Sequence, residues 1–224
     1  MQVPLRHTLM KVILLRNISL TPLLLEQRKS ELRIYWMIAC LEPLQVLIFH
    51  EGTVRLNSLP FKLDDFDNTL IHVTNVRQQH KHREFDSETV LKWSFENLGR
   101  YVADTLRLAD EHFIEQELKP QLKQQLAFVV RAGLEALRSH PINGLFFGLF
   151  GADIILDDQL RPWLTEIQKG PGLDFDDPIK QRVVPPMLTE AVSIVTEIQA
   201  KLRRGEGIKH LDNAVGFEWV INDA

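Results

Sequence analysis

The chain has 224 residues, 45% of them hydrophobic and 25% charged, the composition of a globular protein with room for one large domain or two small ones. A formal net charge of −4 supplies no global cationic field, so neither nucleic acid nor a membrane is an expected partner. Cys40 is the only cysteine, which excludes an internal disulfide framework and suits a reducing, cytoplasmic setting.

From Met1 to Leu25 the chain carries Arg6, Lys11 and Arg16 and no acid. That pattern fits an organelle transit peptide, and it also fits a Met1 that falls inside a domain whose earlier half is absent. The apolar runs Val12–Leu15 and Pro22–Leu25 are too short to span a bilayer. Leu32–Cys40 alternates with period two and reads as a strand, with Cys40 a small buried hydrophobe. Pro43 interrupts it, and Leu44–His50 resumes as an antiparallel partner rich in β-branched and aromatic residues. Glu51-Gly52 is expected to turn the chain into a short third strand, Val54–Leu56.

Ser58–Arg83 is polar and irregular, acidic at Asp64, Asp65 and Asp67, then basic at Arg77, His80, Lys81, His82 and Arg83. Helical periodicity is expected from about Ser87, with Leu91, Phe95, Leu98, Val102 and Leu106 on one stripe. A second helix is expected over Pro120–Arg138. Two strands, Phe146–Leu156 and Leu160–Ile167, flank the turn-forming Asp157-Asp158-Gln159. A third helix is expected over Pro186–Arg204, stopped by Gly205 and Gly207, with a polar–aromatic tail to Ala224. The order of elements predicts an α+β fold with a mainly antiparallel sheet and packed helices.

The chemistry concentrates in the second pair of strands. Asp153 lies within an otherwise apolar strand, where an unpaired carboxylate would be costly to bury, and Glu166 meets the same problem in the returning strand. If Leu156 pairs with Arg161, Gly151 faces Glu166, and Asp153 is its diagonal neighbour on the same face, about 7–8 Å away at the backbone. Two carboxylates so placed can share a metal ion, or remain solvent-facing partners of Arg161 or Lys169; a one-residue slip would separate them.

The segment GADIILDDQLRPWLTEIQKGPGL, Gly151–Leu173, resembles the signature of the tubulin tyrosine ligase-like family, an ATP-grasp group. The family pattern is an apolar strand with an internal Asp, an acidic turn, Pro-Trp-Leu, then Glu-x-Asn followed shortly by Pro. Upstream, IHVTNVRQ at Ile71–Gln78 is similar to the family's His-Leu-Thr-Asn motif, and HEGTVRLNSLP at His50–Pro60 to its glycine-arginine strand. KSELR at Lys29–Arg33 is similar to its Lys-x-acid-x-Arg entry, and Ile18 with Pro22–Leu25 to the end of its adenine-side linker. In order and spacing these motifs cover Arg16 to Ile194.

The resemblance implies the C-terminal portion of an ATP-grasp fold over residues 1–204, with a tail over 205–224. It implies that Asp153 and Glu166 hold Mg²⁺ against the phosphates of ATP. Gln168 stands where the family has Asn; its amide oxygen can ligate Mg²⁺, but the extra methylene alters its reach. Arg33 and Arg55 would meet phosphate or a substrate carboxylate, where a planar guanidinium binds two oxygens at once. Lys29 and Glu31 would line the nucleotide or substrate side, and His72, Thr74 and Asn75 would contact the nucleotide or the reacting groups. Taken singly, the arginines read equally as strand-surface ion-pair partners and His72 as a loop histidine.

Relatives of this kind phosphorylate a carboxylate with ATP and let the amine of a free amino acid attack the acyl-phosphate. They add tyrosine, glutamate or glycine, chiefly to tubulin, which would place the chain at the cytoskeleton or cilium. The family's N-terminal domain and glycine-containing phosphate loop are expected ahead of Met1, so the chain alone is expected to bind Mg·ATP weakly and not to complete ligation. The alternative is an inactive remnant that binds tubulin or another protein with an acidic tail through the basic cluster Arg77–Arg83. Two geometric expectations follow. Asp153 and Glu166 should share one cavity, and Arg33 and Arg55 should converge on it without full carboxylate pairing.

Overall fold

Strands β2 (Arg28–Leu41) and β3 (Leu44–Leu56) form the longest hairpin among the described residues, and everything that positions the site is built on it. The computed structural model describes residues 21–65, 67–80, 90–139, 146–175 and 177–224. A short β1 (Leu24–Leu25) precedes the hairpin, and α1 (Thr69–His72), α2 (Val76–Gln79) and β4 (Lys92–Ser94) follow it. Next come α3 (Phe95–Arg100), which runs on into a π-helical Tyr101–Leu106, and α4 (Lys119–Arg138), entered through a π-helical Ile114–Leu118. The hairpin of β5 (Gly148–Leu156) and β6 (Pro162–Gln168), the long α5 (Pro178–Arg203) and β7 (Phe217–Asn222) complete the order. The fold is α+β, and every pairing in its sheet is antiparallel, in the order β4-β3-β2-β5-β6 with β1 on β2 and β7 also on β3.

Both faces of this sheet are covered, which is why β2 reads as a nearly continuous apolar run rather than a half-polar alternation. One face carries Leu32, Ile34, Trp36, Ile38, Val54, Leu56 and Ile154, packed against Leu122, Leu126 and Val130 of α4 and against α3. Trp36 stacks on Phe150 with ring centroids 4.7 Å apart. The other face carries Tyr35, Met37, Leu47 and Phe49 under Val183, Met187, Ala191, Ile194 and Ile198 of α5. Each of the fully buried Leu and Ile side chains contributes roughly 1.5–3 kcal/mol by leaving water. The helices α4 and α5 therefore clamp the sheet from opposite sides.

Four local expectations are corrected. Glu51-Gly52 does not turn the chain: β3 is continuous, and because Ile34 pairs with Gly52 while Trp36 pairs with Ile48, Phe49, His50 and Glu51 bulge opposite Tyr35 alone. Gly52 is required by packing, since a Cβ there would lie 2.5 Å from the Arg33 carbonyl oxygen and 2.6 Å from Phe95. The helix expected near Ser87, which lies outside the described residues, is preceded by strand β4 and starts at Phe95, where Ser94 and Asn97 form a capping box. Helix α5 begins at Pro178, with the Asp177 carboxylate capping Ile179 N and Lys180 N, and carries Pro185 and Pro186 inside it. The presumed tail contributes β7, which pairs with Gln45–Phe49 of β3. Residues 1–20, including Ile18 and the cations at Arg6, Lys11 and Arg16, lie outside the described residues, as do Lys81, His82 and Arg83.

Candidate functional site

The face of the sheet under α5 is apolar where that helix covers it and polar beyond its N-terminus. Because side chains alternate along a strand, Glu31, Arg33 and Tyr35 share this face on β2, as do Thr53 and Arg55 on β3. The registers place Thr53 beside Arg33, Arg33 beside Asp153, and Asp153 beside Glu166, a row across four adjacent strands. Arg55 stands directly beside Glu31 in the next row.

The relation between Asp153 and Glu166 differs from the diagonal expected. The hairpin pairs Leu156 with Pro162 rather than Arg161, and a bulge between Asp153 and Ile154 leaves Thr165 as an extra residue on β6. Asp153 and Glu166 are thereby directly opposite, with Cβ atoms roughly 5 Å apart by strand geometry. Asp157 sets this turn: its buried carboxylate accepts from Gln159 N, Arg161 N, Arg161 Nε and Trp163 Nε1. The Thr165 hydroxyl lies 3.0 Å from the Asp153 carbonyl oxygen and 3.3 Å from Glu31 Oε1, tying the bulge to β2.

The arginines are more fully paired than expected. Arg33 grips Asp153 with Nε on Oδ1 at 2.5 Å and Nη2 on Oδ2 at 3.0 Å, and its Nη1 donates to the Pro171 carbonyl. Arg55 Nη2 lies 2.7 Å from Asp153 Oδ1 and 2.8 Å from Glu31 Oε2, while its buried Nε has no hydrogen-bond partner among the described residues. The physical reason is burial: Asp153 is 4% exposed and Arg33 9% exposed, so a ligand-free chain that left them apart would strand two charges out of water. Burial pushes the Glu31 carboxyl above its ordinary range, and the Asp153 charge adds to that, against the attraction of Arg55 and a hydrogen bond from Thr74. Glu166 is exposed and forms no hydrogen bond or ion pair among the described residues.

These groups line a cleft of about 600 Å³. Glu31, Arg33, Arg55, His72, Thr74, Asn75, Asp153, Glu166 and Gln168 all border it. Lys29 stands behind His72, its Nζ 3.2 Å from His72 Nδ1 and 4.5 Å from the centroid of the Phe61 ring. His72 Nε2 lies 2.8 Å from the Asp65 carbonyl oxygen. A carbonyl only accepts, so Nε2 carries the proton and Nδ1 is left to accept from Lys29. Burial lowers the Lys29 ammonium below its ordinary range. The sequence reading missed Tyr35, Thr53, Lys92, Asp174 and Lys180, which also line the cleft. Period-two spacing from Arg33 and Arg55 was the available signal for Tyr35 and Thr53. Lys92 and Lys180 were hidden because their elements were expected to begin elsewhere.

The profile of the Tubulin-tyrosine ligase family matches residues 19–204. The chain belongs to that family. This family member is 26% identical over 215 residues to a Caenorhabditis elegans protein named "Probable tubulin polyglutamylase ttll-9", covering 91% of this chain and 46% of that protein. It is 30% identical over 192 residues to the human "Inactive polyglycylase TTLL10", covering 83% of this chain and 27% of that protein. It is 24% identical over 177 residues to "Tubulin glycylase 3B" of Tetrahymena thermophila, covering 79% of this chain and 14% of that protein. The chain thus spans less than half the length of these curated relatives.

Asp153, Glu166 and Gln168 offer oxygen atoms alone, the donor set that suits a hard divalent ion such as Mg²⁺. Among the described residues no group of three or more His, Cys, Asp and Glu converges on a point that could hold a metal. A divalent ion here would complete its shell with phosphate oxygens and water, the way Mg²⁺ is ordinarily held. No helix among the described residues is long and apolar enough to cross a membrane.

Proposed function

We propose that this chain carries the ATP- and Mg²⁺-binding face of a ligase that joins an amino acid (tyrosine, glutamate or glycine) to tubulin or another protein with an acidic tail. The observation that carries this reading is the row Arg33, Asp153, Glu166 with Arg55 beside it, which puts two cations and two carboxylates against one cleft. Asp153, Glu166 and Gln168 would hold Mg²⁺, and Arg33 and Arg55 would exchange their carboxylate partner for phosphate or substrate oxygens. Bound ATP would supply the phosphoryl group that activates a carboxylate, with Mg²⁺ offsetting phosphate charge. The remaining work falls to the chain itself. Glu31, itself held by the Thr74 hydroxyl, orients Arg55, His72 bonds to Lys29, and the Gly170–Gly172 segment closes part of the cleft wall. Names of the relatives, two glutamylase or glycylase titles and one inactive polyglycylase, support the substrate class.

A second reading has its own support: Asp153 is already held by two guanidinium groups, and Gln168 replaces the shorter Asn. On that reading the chain binds a protein partner without ligation. One experiment separates the two. The purified chain is incubated with ATP, Mg²⁺, tubulin and labelled tyrosine, glutamate or glycine, alongside Asp153→Ala, and nucleotide affinity is measured by calorimetry. Transfer that needs Asp153 establishes the ligase. Retention of tubulin with neither transfer nor nucleotide binding removes the first reading and leaves the second.

A further inference from the structure

Lys92, Asp174, Lys180 and the Gly170–Gly172 segment line the same cleft as the carboxylate row. Tyr35 lines it from β2. Its backbone pairs with Gly151 on one side and faces the Phe49–Glu51 bulge on the other, so the ring is held where both neighbouring strands are fixed. The side chain is fully buried, yet its hydroxyl has no hydrogen-bond partner among the described residues. Buried tyrosine hydroxyls ordinarily find one, and a polar atom left without it against a cleft marks a place where a ligand atom belongs.

The surroundings say which atom. The charges of Arg33 and Arg55 favour loss of the phenol's proton, and those of Asp174 and Asp177 oppose it. Each of those acids is held by a mostly buried lysine: Lys180 lies 2.9 Å from Asp174, and Lys92 is bonded to Asp177. Burial pushes the phenol up to about 12, with the arginines opposing, so at neutral pH it keeps its proton and can donate. A phenol and two ammonium groups supply hydrogen-bond donors that suit an anion. The nearby Asp174 and Asp177 penalise a multiply charged phosphate more than a singly charged carboxylate. A ligand carboxylate that takes Lys180 or Lys92 from its acid exchanges one ion pair for another while reaching the hydroxyl.

We propose that Tyr35, with Lys92 and Lys180, forms a carboxylate subsite in which the phenol donates a hydrogen bond to a carboxylate of the amino acid or glutamate-rich peptide substrate. The proposal takes the substrate's chemistry from the ligase reading, and its test is separable from that reading. Wild-type chain and Tyr35→Phe are titrated calorimetrically with free glutamate and with a glutamate-rich peptide, with and without a non-hydrolysable Mg·ATP analogue. Melting temperatures are measured in parallel. The expected result is carboxylate affinity about tenfold weaker in Tyr35→Phe, the size of one charge-assisted hydrogen bond, with nucleotide affinity unchanged. The ligand-free variant melts at the same or a higher temperature, because an unpaired buried hydroxyl has been removed. Gain in the free state with loss of ligand is a signature that a merely structural tyrosine does not give. Which of the two titrants binds identifies the source of the carboxylate. Equal carboxylate affinity in the two proteins, no carboxylate binding by the wild type, or parallel loss of nucleotide binding overturns the subsite. Tyr35-dependent glutamate binding without any nucleotide binding upholds the subsite and refutes the ligase reading instead.

Discussion

Asp153→Asn is the perturbation that weighs the charge network most directly. The substitution keeps shape and one acceptor oxygen but removes the negative charge that two buried guanidinium groups share. Arg33 has a side chain 11% exposed and would keep the Pro171 carbonyl and one neutral amide oxygen, while Arg55, at 16%, would keep Glu31. Three charge-assisted contacts at about 1.5–3 kcal/mol each overstate the loss, because they share one carboxylate and are not additive. Breaking a buried pair by removing one partner costs about 3–5 kcal/mol, and relief of the repulsion between Asp153 and Glu31 recovers part of it. A net loss of about 3 kcal/mol is expected. With a urea m-value near 3 kcal/mol/M, the unfolding midpoint falls by roughly 1 M at unchanged slope. Circular dichroism in a urea series at neutral pH reads it. A loss below about 1 kcal/mol, the size of an exposed ion pair, would refute the argument that these charges are held out of water.

Two further outcomes follow from the same fold. Gly52→Ala places a Cβ 2.5 Å from the Arg33 carbonyl oxygen and 2.6 Å from Phe95, so overpacking of about 1–3 kcal/mol should lower the melting temperature by roughly 2–12 °C; an unchanged melting curve counts against the close approach. Burial alone would raise the Glu197 carboxyl, but hydrogen bonds from Lys201, Asn213 and Asp212 outweigh it and hold it at about 2. Its folded value lies below its ordinary 4.5, so its stabilisation is present above pH 4.5 and is lost as pH falls through about 2. The stability gap between wild type and Glu197→Gln should therefore close over that window in urea titrations, and a pH-independent gap speaks against the assignment.

The fold class and the β5–β6 hairpin were legible because their signals are local. Alternation, β-branched content and the Asp157 turn each act within a few residues. What the sequence could not carry was register. Thr165 bulges because its hydroxyl reaches Asp153 and Glu31 from another part of the chain, and that contact moves Glu166 from diagonal to opposite. Gly52 failed for the same reason: a Glu-Gly pair spells a turn, and only Phe95 and the Arg33 backbone reveal a packing glycine. The arginine pairing was misjudged because it depends on burial beneath the Gly170–Gly172 segment, which no single motif reports. The motifs for Arg33, Arg55, His72, Thr74 and Asn75 nonetheless led to residues that border one cleft.

Strand β7 lies beyond the stretch that the family profile matches, yet it is paired into the sheet along β3. Glu190 of α5 accepts from the backbone N–H groups of Val215, Gly216 and Phe217, and Glu218 bridges to Lys119 and Lys123 of α4. A piece trimmed to the matched boundary at residue 204 would bare the edge of β3 along Gln45–Phe49, a row of open N–H and C=O groups flanked by Leu47 and Ile48. Such an edge is a template for strands of other molecules. Trimming would be expected to yield a protein that sticks to its own copies, because the stretch from Phe217 to Asn222 is what occupies that part of the β3 edge.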